Sequence, residues 1–277
     1  MGDHHEAIWS SRVGDGPVVA VAVHHGHDLR PEVGEIMALD DDTRLREEDP
    51  FTGRLTDMAP TRFVVHRSRF EMDLNRHRDN AVYLTPEEAW GLEVWREPPG
   101  PALLTRSRTQ HDAFYEALLG VLGAIQQRWG RFVLLDLHSY NHRRDGEGAE
   151  AAFPADNPVV NIGTGSMDRQ LWAPVVDAFS SALSSTEVNG ETLDVRENIR
   201  FQGGYLSRWV HETFPGTGCA MAIEIKKIFM NEWTGVLDEG VFEEIRASLT
   251  AAIEPTAAAL DTVQSPIRHC GRGNHEM

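Results

Sequence analysis

The segment Phe132-Val133-Leu134-Leu135-Asp136-Leu137-His138-Ser139-Tyr140 is the most informative for the fold, because it is an apolar run that ends at a histidine. Continuous apolar runs of this length are typical of strands buried on both faces of a parallel sheet. A second apolar run, residues 18–23, ends in His24-His25-Gly26-His27-Asp28. Open α/β sheets bind ligands outside the carboxyl ends of their strands. Two strands that end in histidines therefore predict a metal site at one sheet edge.

Strand-like and helix-like segments alternate along the rest of the chain. Further strands are predicted at residues 61–65, 70–74, 159–162 and 219–225, and helices at 109–129, 167–183 and 240–263. Two polar stretches are predicted to lack strands: residues 40–49 as a solvated loop or helix end, and 141–158 as a long loop. This alternation predicts an α/β fold with a mostly parallel or mixed sheet flanked by helices. We expect one domain over residues 1–277, with flexible ends at 1–12 and 266–277.

Composition excludes several classes of partner and location. The formal net charge is −17, whereas binding to nucleic acid or to anionic membranes requires a cationic face. No apolar run approaches the roughly 20 residues that span a bilayer, and residues 1–6 lack the features of a signal peptide. Cys219 and Cys270 do not form a disulfide framework. We therefore expect a cytoplasmic protein that binds neither nucleic acid nor membranes.

The histidines at the two strand ends are suited to binding zinc. Catalytic zinc typically takes three protein ligands, combining histidines with a carboxylate, and leaves one position open. His24 or His27, together with His138, could supply the imidazoles. Histidine-rich ligation also favours zinc over harder divalent ions.

Two further blocks carry side chains suited to hydrolysis. Glu224 is the one carboxylate in an apolar strand, and the loss of solvation there raises the pKa of a carboxyl group, as a general base requires. Asn75 and Arg76 directly follow the predicted strand at residues 70–74. An arginine near such a site can bind a substrate carboxylate through two hydrogen bonds.

These blocks resemble a known family. Three motifs occur in the same order as in the zinc carboxypeptidase superfamily: Asp73-Leu74-Asn75-Arg76, Leu137-His138-Ser139-Tyr140 and Ile223-Glu224-Ile225-Lys226. Within that superfamily the chain is most similar to the N-formylglutamate amidohydrolases, and the similar segments are residues 24–26, 48–52, 69–76 and 203–205. The resemblance extends from about residue 18 to residue 231. It implies a phosphorylase/hydrolase-like, zinc carboxypeptidase-like α/β fold.

The resemblance also implies roles for individual residues outside the metal site. Glu224 would be the general base. Arg76 would be a catalytic residue that binds the substrate carboxylate. Arg69, Asn75 and Tyr205 would complete the substrate-binding set.

The same resemblance implies one bound Zn²⁺, with His138 as the last ligand. If the chain is aligned with the amidohydrolase family on its His-x-Gly turn, the other ligands are His24 and Asp49, and His27 replaces or supplements one of them. Aligned on a histidine followed three residues later by an acid, it gives His25 and Asp28. We prefer the first alignment because it comes from the more similar family.

The function implied is zinc-dependent hydrolysis of the amide bond in an N-acyl acidic amino acid such as N-formyl-L-glutamate. The substrate would be a small anion. Two alternatives stay open: a metallopeptidase of the carboxypeptidase type that acts on a peptide or biosynthetic intermediate, and a non-catalytic metal-binding relative.

Overall fold

This computed structural model describes residues 7–264. Its centre is a seven-stranded sheet. The strands in chain order are β1 Trp9–Arg12, β2 Val18–Ala22, β3 Thr61–Val65, β4 Phe132–Tyr140, β5 Val160–Gly163, β6 Glu187–Val188, β7 Glu191–Thr192, β8 Val195–Glu197 and β9 Gly218–Lys226. The large sheet has the order β1-β3-β2-β4-β9-β5-β8, and β6 pairs only with β7.

The sheet is mixed, with a parallel centre. Strands β3, β2, β4 and β9 run parallel to one another, whereas β1 is antiparallel to β3 and β5 is antiparallel to β9. The β4–β9 pair extends over nine residues and places His138 directly opposite Glu224. The mixed α/β sheet predicted from the sequence is therefore confirmed.

Helices cover both faces of this sheet. They are α1 Pro31–Ile36, α2 Asp41–Glu47, α3 Thr52–Leu55, α4 Pro101–Trp129, α5 Ala173–Ser184, α6 Tyr205–Thr213 and α7 Glu239–Ala259. Short 3-10 turns lie at Thr56–Met58, Arg78–Asn80, Pro86–Ala89, Pro154–Asp156 and Leu260–Thr262.

Alternation along the strands separates two cores. Val133 and Leu135 of β4 pack with α5 and α7 on one face, whereas Phe132 and Leu134 pack with α4 and α6 on the other. Because side chains two apart share a face, Asp136 and His138 continue the α4–α6 face, and Glu224 of β9 lies on that face as well. The sheet therefore carries polar groups on one face beyond the point where its apolar core ends.

Two segments differ from the sequence prediction. Residues 70–74 form turns rather than a strand, because Asp73 and its neighbours bond to residues within their own loop: the Arg76 N–H donates to the Asp73 carbonyl at 3.2 Å. Residues 40–49 form α2, capped by the Asp40 side chain, and the chain is then buried at Glu48 and Asp49.

The predicted flexible ends fall partly outside the described residues. Trp9–Arg12 forms β1 and pairs with β3 over four residues, so this part of the N-terminal segment belongs to the sheet. Residues 1–6 and 265–277, which include Cys270, lie outside the part of the chain that the structure describes. Between residues 7 and 264, no helix is both long and apolar enough to cross a membrane. The cytoplasmic location stays a prediction.

Candidate metal centre and active site

Three buried side chains converge beyond the carboxyl ends of the central strands. They are His24 after β2, Asp49 after α2 and His138 near the end of β4, with 2%, 3% and 3% of their surfaces exposed. One potential ligand atom of each lies within 4.8 Å of the other two. Because β2 and β4 are parallel, the two histidines lie at the same edge of the sheet. Asp49 lies on the connection after α2, and its backbone N–H donates to the His24 carbonyl at 2.9 Å.

Each histidine is held by a second carboxylate on its far side. His24 Nε2 lies 2.7 Å from Asp73 Oδ1, and His138 Nε2 lies 2.8 Å from Asp136 Oδ1. The Nδ1 atoms therefore face inward, 3.3 Å and 3.1 Å from Asp49 Oδ2. Metal-binding histidines commonly donate their other ring N–H to a carboxylate, which fixes the tautomer and the ring orientation.

The charges of this cluster fit a bound cation. Asp49, Asp73, Asp136 and Glu224 bring four carboxylates to two imidazoles. Burial lowers the pKa of His138, but Asp136 and Asp49 outweigh burial and raise that pKa well above its ordinary value. Burial raises the pKa of Asp49, yet its contacts with the two histidines hold that pKa far below the ordinary range.

The hydrogen bonding of the cluster also fits a bound cation. Within residues 7–264, His24 Nδ1 is buried and makes no hydrogen bond of good geometry, although Asp49 Oδ2 lies 3.3 Å away, and such atoms are rare in folded proteins. Two imidazole nitrogens and a carboxylate oxygen form a donor set of the kind that zinc takes at catalytic sites. The residues present therefore fit a divalent metal ion.

The other predicted metal ligand, His27, lies outside this group. Its Nδ1 is 2.5 Å from a carboxylate oxygen of buried Glu48, and its Nε2 is 3.2 Å from Arg44 Nη2. The alternative pair is not brought together either: Asp28 is exposed and bridges to Arg67 through its backbone, and the His25 ring packs near Gly53. Burial lowers the pKa of His25 to about 4.

Glu224 lies beside the candidate metal centre of His24, Asp49 and His138. It is opposite His138 in the β4–β9 pair and opposite Asn161 in the β5–β9 pair. Burial, together with Asp49 and Asp136 but against the effect of His138, raises the pKa of Glu224 to about 7. A carboxyl group with this pKa, next to a candidate metal centre, can exchange a proton near neutral pH.

A cavity of about 380 Å³ opens over these groups. Its lining includes His24, Asp49, His138 and Glu224 together with five cationic side chains: Arg46, Arg69, Arg144, Arg200 and Lys227. In a chain of net charge −17, this concentration of guanidinium and ammonium groups favours an anionic ligand.

Two members of the predicted substrate-binding set line this cavity. The Arg69 guanidinium bonds to Asp73 Oδ2 at 3.0 Å and to the Tyr83 hydroxyl at 3.1 Å, and it stacks on the Trp90 ring at 4.7 Å. Asn75 Oδ1 accepts the Leu206 N–H at 2.9 Å, which leaves the amide nitrogen near the cluster.

Glycine at position 204 is required for this arrangement. A Cβ atom there would lie 2.3 Å from the Asn75 amide. Gly204 therefore lets the backbone approach a cavity-lining side chain closely.

The other two members of the set point elsewhere. Arg76 donates to the Glu88 carbonyl at 2.6 Å and stacks on the Tyr83 ring, and it does not line the cavity. Tyr205 packs against Tyr115 with ring centroids 5.4 Å apart, in an aromatic cluster between α4 and α6.

Several residues that shape the site have no role in the sequence prediction. Asp73 and Asp136 had a local signal, because each lies in a motif two positions from a predicted site residue. Lys227 is buried, and its ammonium group donates to the carbonyls of Arg46 and Glu48 at 2.5 and 2.8 Å, which ties the Asp49 segment to the end of β9. Arg200 had no local signal.

Comparisons with known proteins identify a family and two solved structures of similar fold. The sequence profile of the N-formylglutamate amidohydrolase family matches residues 16–230. An N-formylglutamate amidohydrolase from Ralstonia eutropha JMP134 is 17% identical, with a TM-score of 0.71 over 92% of this chain and 97% of that one. Gene product Atu2144 from Agrobacterium tumefaciens is 19% identical, with a TM-score of 0.63 over 92% and 95%.

A metallo-carboxypeptidase from Burkholderia cenocepacia also matches, with 14% identity and a TM-score of 0.36 over 90% of this chain and 58% of that one. No curated protein sequence matches. The family match covers most of the chain and includes the candidate ligands His24, Asp49 and His138, together with Glu224 and Arg69. The chain therefore belongs to the N-formylglutamate amidohydrolase family.

Proposed function

We propose that the protein is a zinc-dependent hydrolase that cleaves the amide bond of an N-acyl acidic amino acid, with N-formyl-L-glutamate as the first candidate. The observation that carries the proposal is the buried His24–Asp49–His138 group with Glu224 on the neighbouring strand. The family match supports the reaction class, and the cationic cavity supports an acidic substrate.

The metal site would consist of His24 Nδ1, one Asp49 oxygen and His138 Nδ1. When bound, zinc supplies Lewis acidity, which polarises a carbonyl group and lowers the pKa of water. Asp73 and Asp136 would keep the imidazoles in the tautomer that presents Nδ1 to the metal.

Glu224 would act as general base and then as general acid. Its carboxylate takes one proton from water as the water oxygen bonds to the acyl carbon. Glu224 then returns that proton to the amide nitrogen as the C–N bond breaks. The acid formed from the acyl group passes its remaining proton to the amine, so the products are a carboxylate, which is formate for a formyl substrate, and the free amino acid. Proton transfer of this kind contributes roughly 10²- to 10⁴-fold to a rate.

Arg69 and Asn75 would bind and orient the substrate carboxylate nearest the amide. Arg69 is fixed by Asp73 and by the Trp90 ring, so little rotational freedom is lost on binding. Arg76 as a direct ligand of that carboxylate and Tyr205 as a contact of the substrate stay predictions, as does His27 as a metal ligand.

The proposal is tested with Glu224→Gln, which keeps the side-chain shape but cannot accept a proton. We expect hydrolysis of N-formyl-L-glutamate to fall by roughly 10²- to 10⁴-fold, while the zinc content by plasma mass spectrometry stays equal to that of wild type. Glu212→Gln, at an exposed position of α6, is the matched control. Near wild-type turnover in Glu224→Gln would exclude this mechanism.

The metallopeptidase alternative is tested in the same assay with short acyl peptides. A cavity of about 380 Å³ lies near the lower end of the range for small-molecule sites, which favours an acyl amino acid over a peptide. The non-catalytic alternative predicts no turnover of any acyl amino acid by zinc-loaded wild-type protein. The presence of both Glu224 and the three candidate ligands favours a catalyst.

A further inference from the structure

Arg200 differs from the other arginines that line the cavity. Arg69 lies 3.0 Å from Asp73, Arg46 lies 3.2 Å from Glu47, and Arg144 lies 3.8 Å from Glu47. Among residues 7–264, no carboxylate oxygen lies within 4.0 Å of an Arg200 side-chain nitrogen. Arg200 is an exposed residue, so its guanidinium group is open to solvent and to a ligand.

The Arg200 side chain is nevertheless held in place. Its Nη1 donates to Oδ1 of Asn157, a buried residue, at 2.8 Å. The guanidinium carbon lies 5.3 Å from the centroid of the Tyr140 ring and 5.4 Å from that of Phe201. One amide and two aromatic rings thus orient the group, and most of its five N–H donors stay available to a ligand.

The backbone at Arg200 is fixed just as closely. Asn161 Oδ1 accepts the Arg200 N–H at 2.9 Å, and Asn161 Nδ2 donates to the Phe201 carbonyl at 2.8 Å. Asn161 is fully buried and is paired with Glu224. Arg200 is therefore anchored to the strand next to the general-base candidate.

Arg69 and Arg200 reach the cavity from different sides of the metal cluster. Arg69 belongs to the connection after β3 and bonds to Asp73, which lies against His24 at the end of β2. Arg200 is anchored to β5, which lies beyond β9 in the strand order β3-β2-β4-β9-β5. A ligand with two separated anionic groups can therefore contact both arginines.

We propose that Arg200 is the specificity-determining residue that binds the side-chain carboxylate of the substrate. Planar guanidinium groups bind carboxylates through two parallel hydrogen bonds, and a neutral amide cannot replace that pairing. Arg200 thereby selects acyl-glutamate over acyl-glutamine. This inference rests on the proposed function, because it assigns the second carboxylate of the same substrate.

The test compares N-formyl-L-glutamate with N-formyl-L-glutamine in wild type and in Arg200→Met. We expect the variant to lose roughly 100-fold in kcat/KM on the glutamate substrate, and to stay within about threefold of wild type on glutamine, whose amide makes no charge-assisted bond to Arg200. Arg200→Lys restores the charge without the paired geometry, so it should recover only part of the loss. Arg208→Met, an exposed position of α6 outside the cavity lining, is the control with the same charge change.

Two results would overturn the assignment. Equal losses on both substrates would show that Arg200 supports the fold or the chemistry rather than the side-chain carboxylate. Unchanged kcat/KM on the glutamate substrate would show that Arg200 does not contact it.

Calorimetry separates a failure of this inference from a failure of the proposed function. N-acetyl-L-glutamate and N-acetyl-L-glutamine are titrated into zinc-loaded Glu224→Gln, with and without Arg200→Met. If Arg200 binds the second carboxylate, the preference for the glutamate ligand exists before Arg200→Met and disappears after it, even where no hydrolysis of a formyl substrate is found. A preference that survives Arg200→Met refutes the assignment.

Discussion

Replacing Asp73 by asparagine tests how the candidate metal centre is held. One buried carboxylate connects a metal ligand with the substrate-binding side of the cavity. Asp73 Oδ1 lies 2.7 Å from His24 Nε2 and accepts the Asn75 N–H at 2.8 Å, while Oδ2 accepts from Arg69 at 3.0 Å and from the Tyr83 hydroxyl. Asparagine keeps the shape of this side chain but removes its charge and one acceptor oxygen.

The size of the effect follows from these contacts. Loss of the carboxylate behind a metal-binding histidine typically weakens metal binding by about 10- to 100-fold, or about 1.4–2.8 kcal/mol. The Arg69 side chain, 13% exposed, loses its acidic partner, and breaking a buried pair in this way costs about 3–5 kcal/mol. We therefore expect weaker zinc binding together with a free energy of unfolding lowered by about 3 kcal/mol.

Two measurements check this expectation. Zinc affinity is measured by competition with a chromophoric chelator, and the free energy of unfolding of the metal-free protein is measured in urea. Asp112→Asn, which breaks an exposed pair with Arg78, removes the same charge and should change neither quantity appreciably. If Asp73→Asn binds zinc within about twofold of wild type, where about 10- to 100-fold is expected, then Asp73 does not orient His24 for the metal.

Two other predictions concern the cavity in the metal-free protein and the segment behind Asp49. Because the pKa of Glu224 rises from its ordinary 4.5 to about 7 on folding, folding favours its protonated form, and ionisation between these pH values destabilises the fold by about 3 kcal/mol. In urea unfolding, Glu224→Gln should therefore raise the free energy of unfolding of the metal-free protein by about this amount at pH 8 and by much less at pH 5. An equal increase at both pH values would contradict the pKa shift. Lys227→Met should lower the free energy of unfolding by about 2–4 kcal/mol, because the Arg46 and Glu48 carbonyls lose their donor. Lys226→Met is the neighbouring control, and equal losses in the two variants would show that these two hydrogen bonds are not the cause.

The parallel centre of the sheet and the chemistry at its edge follow from local sequence patterns. The runs that become β2, β4 and β9 are apolar on both faces, which suits only strands covered on both sides. Each of the first two ends at a histidine, and β9 carries Glu224 near its end. Parallel pairing then brings these ends to the same edge, so His138, Glu224 and a histidine of the 24–27 segment follow from local pattern and strand direction, whereas the family resemblance favoured His24 over His27.

Long-range contacts place the other groups of the site, of which Asp49 and Arg69 were also indicated by the family resemblance. Asp49 follows an acidic helix, and its burial depends on contacts with β2 and with Lys227 rather than on its own neighbours in sequence. Arg69 and Arg76 lie on a segment of turns, and of these two side chains only Arg69 lines the cavity. Arg200 comes from an irregular connection anchored by Asn161. Local pattern fixes periodic elements, whereas the direction of side chains on irregular segments depends on long-range hydrogen bonds and packing that no local pattern contains.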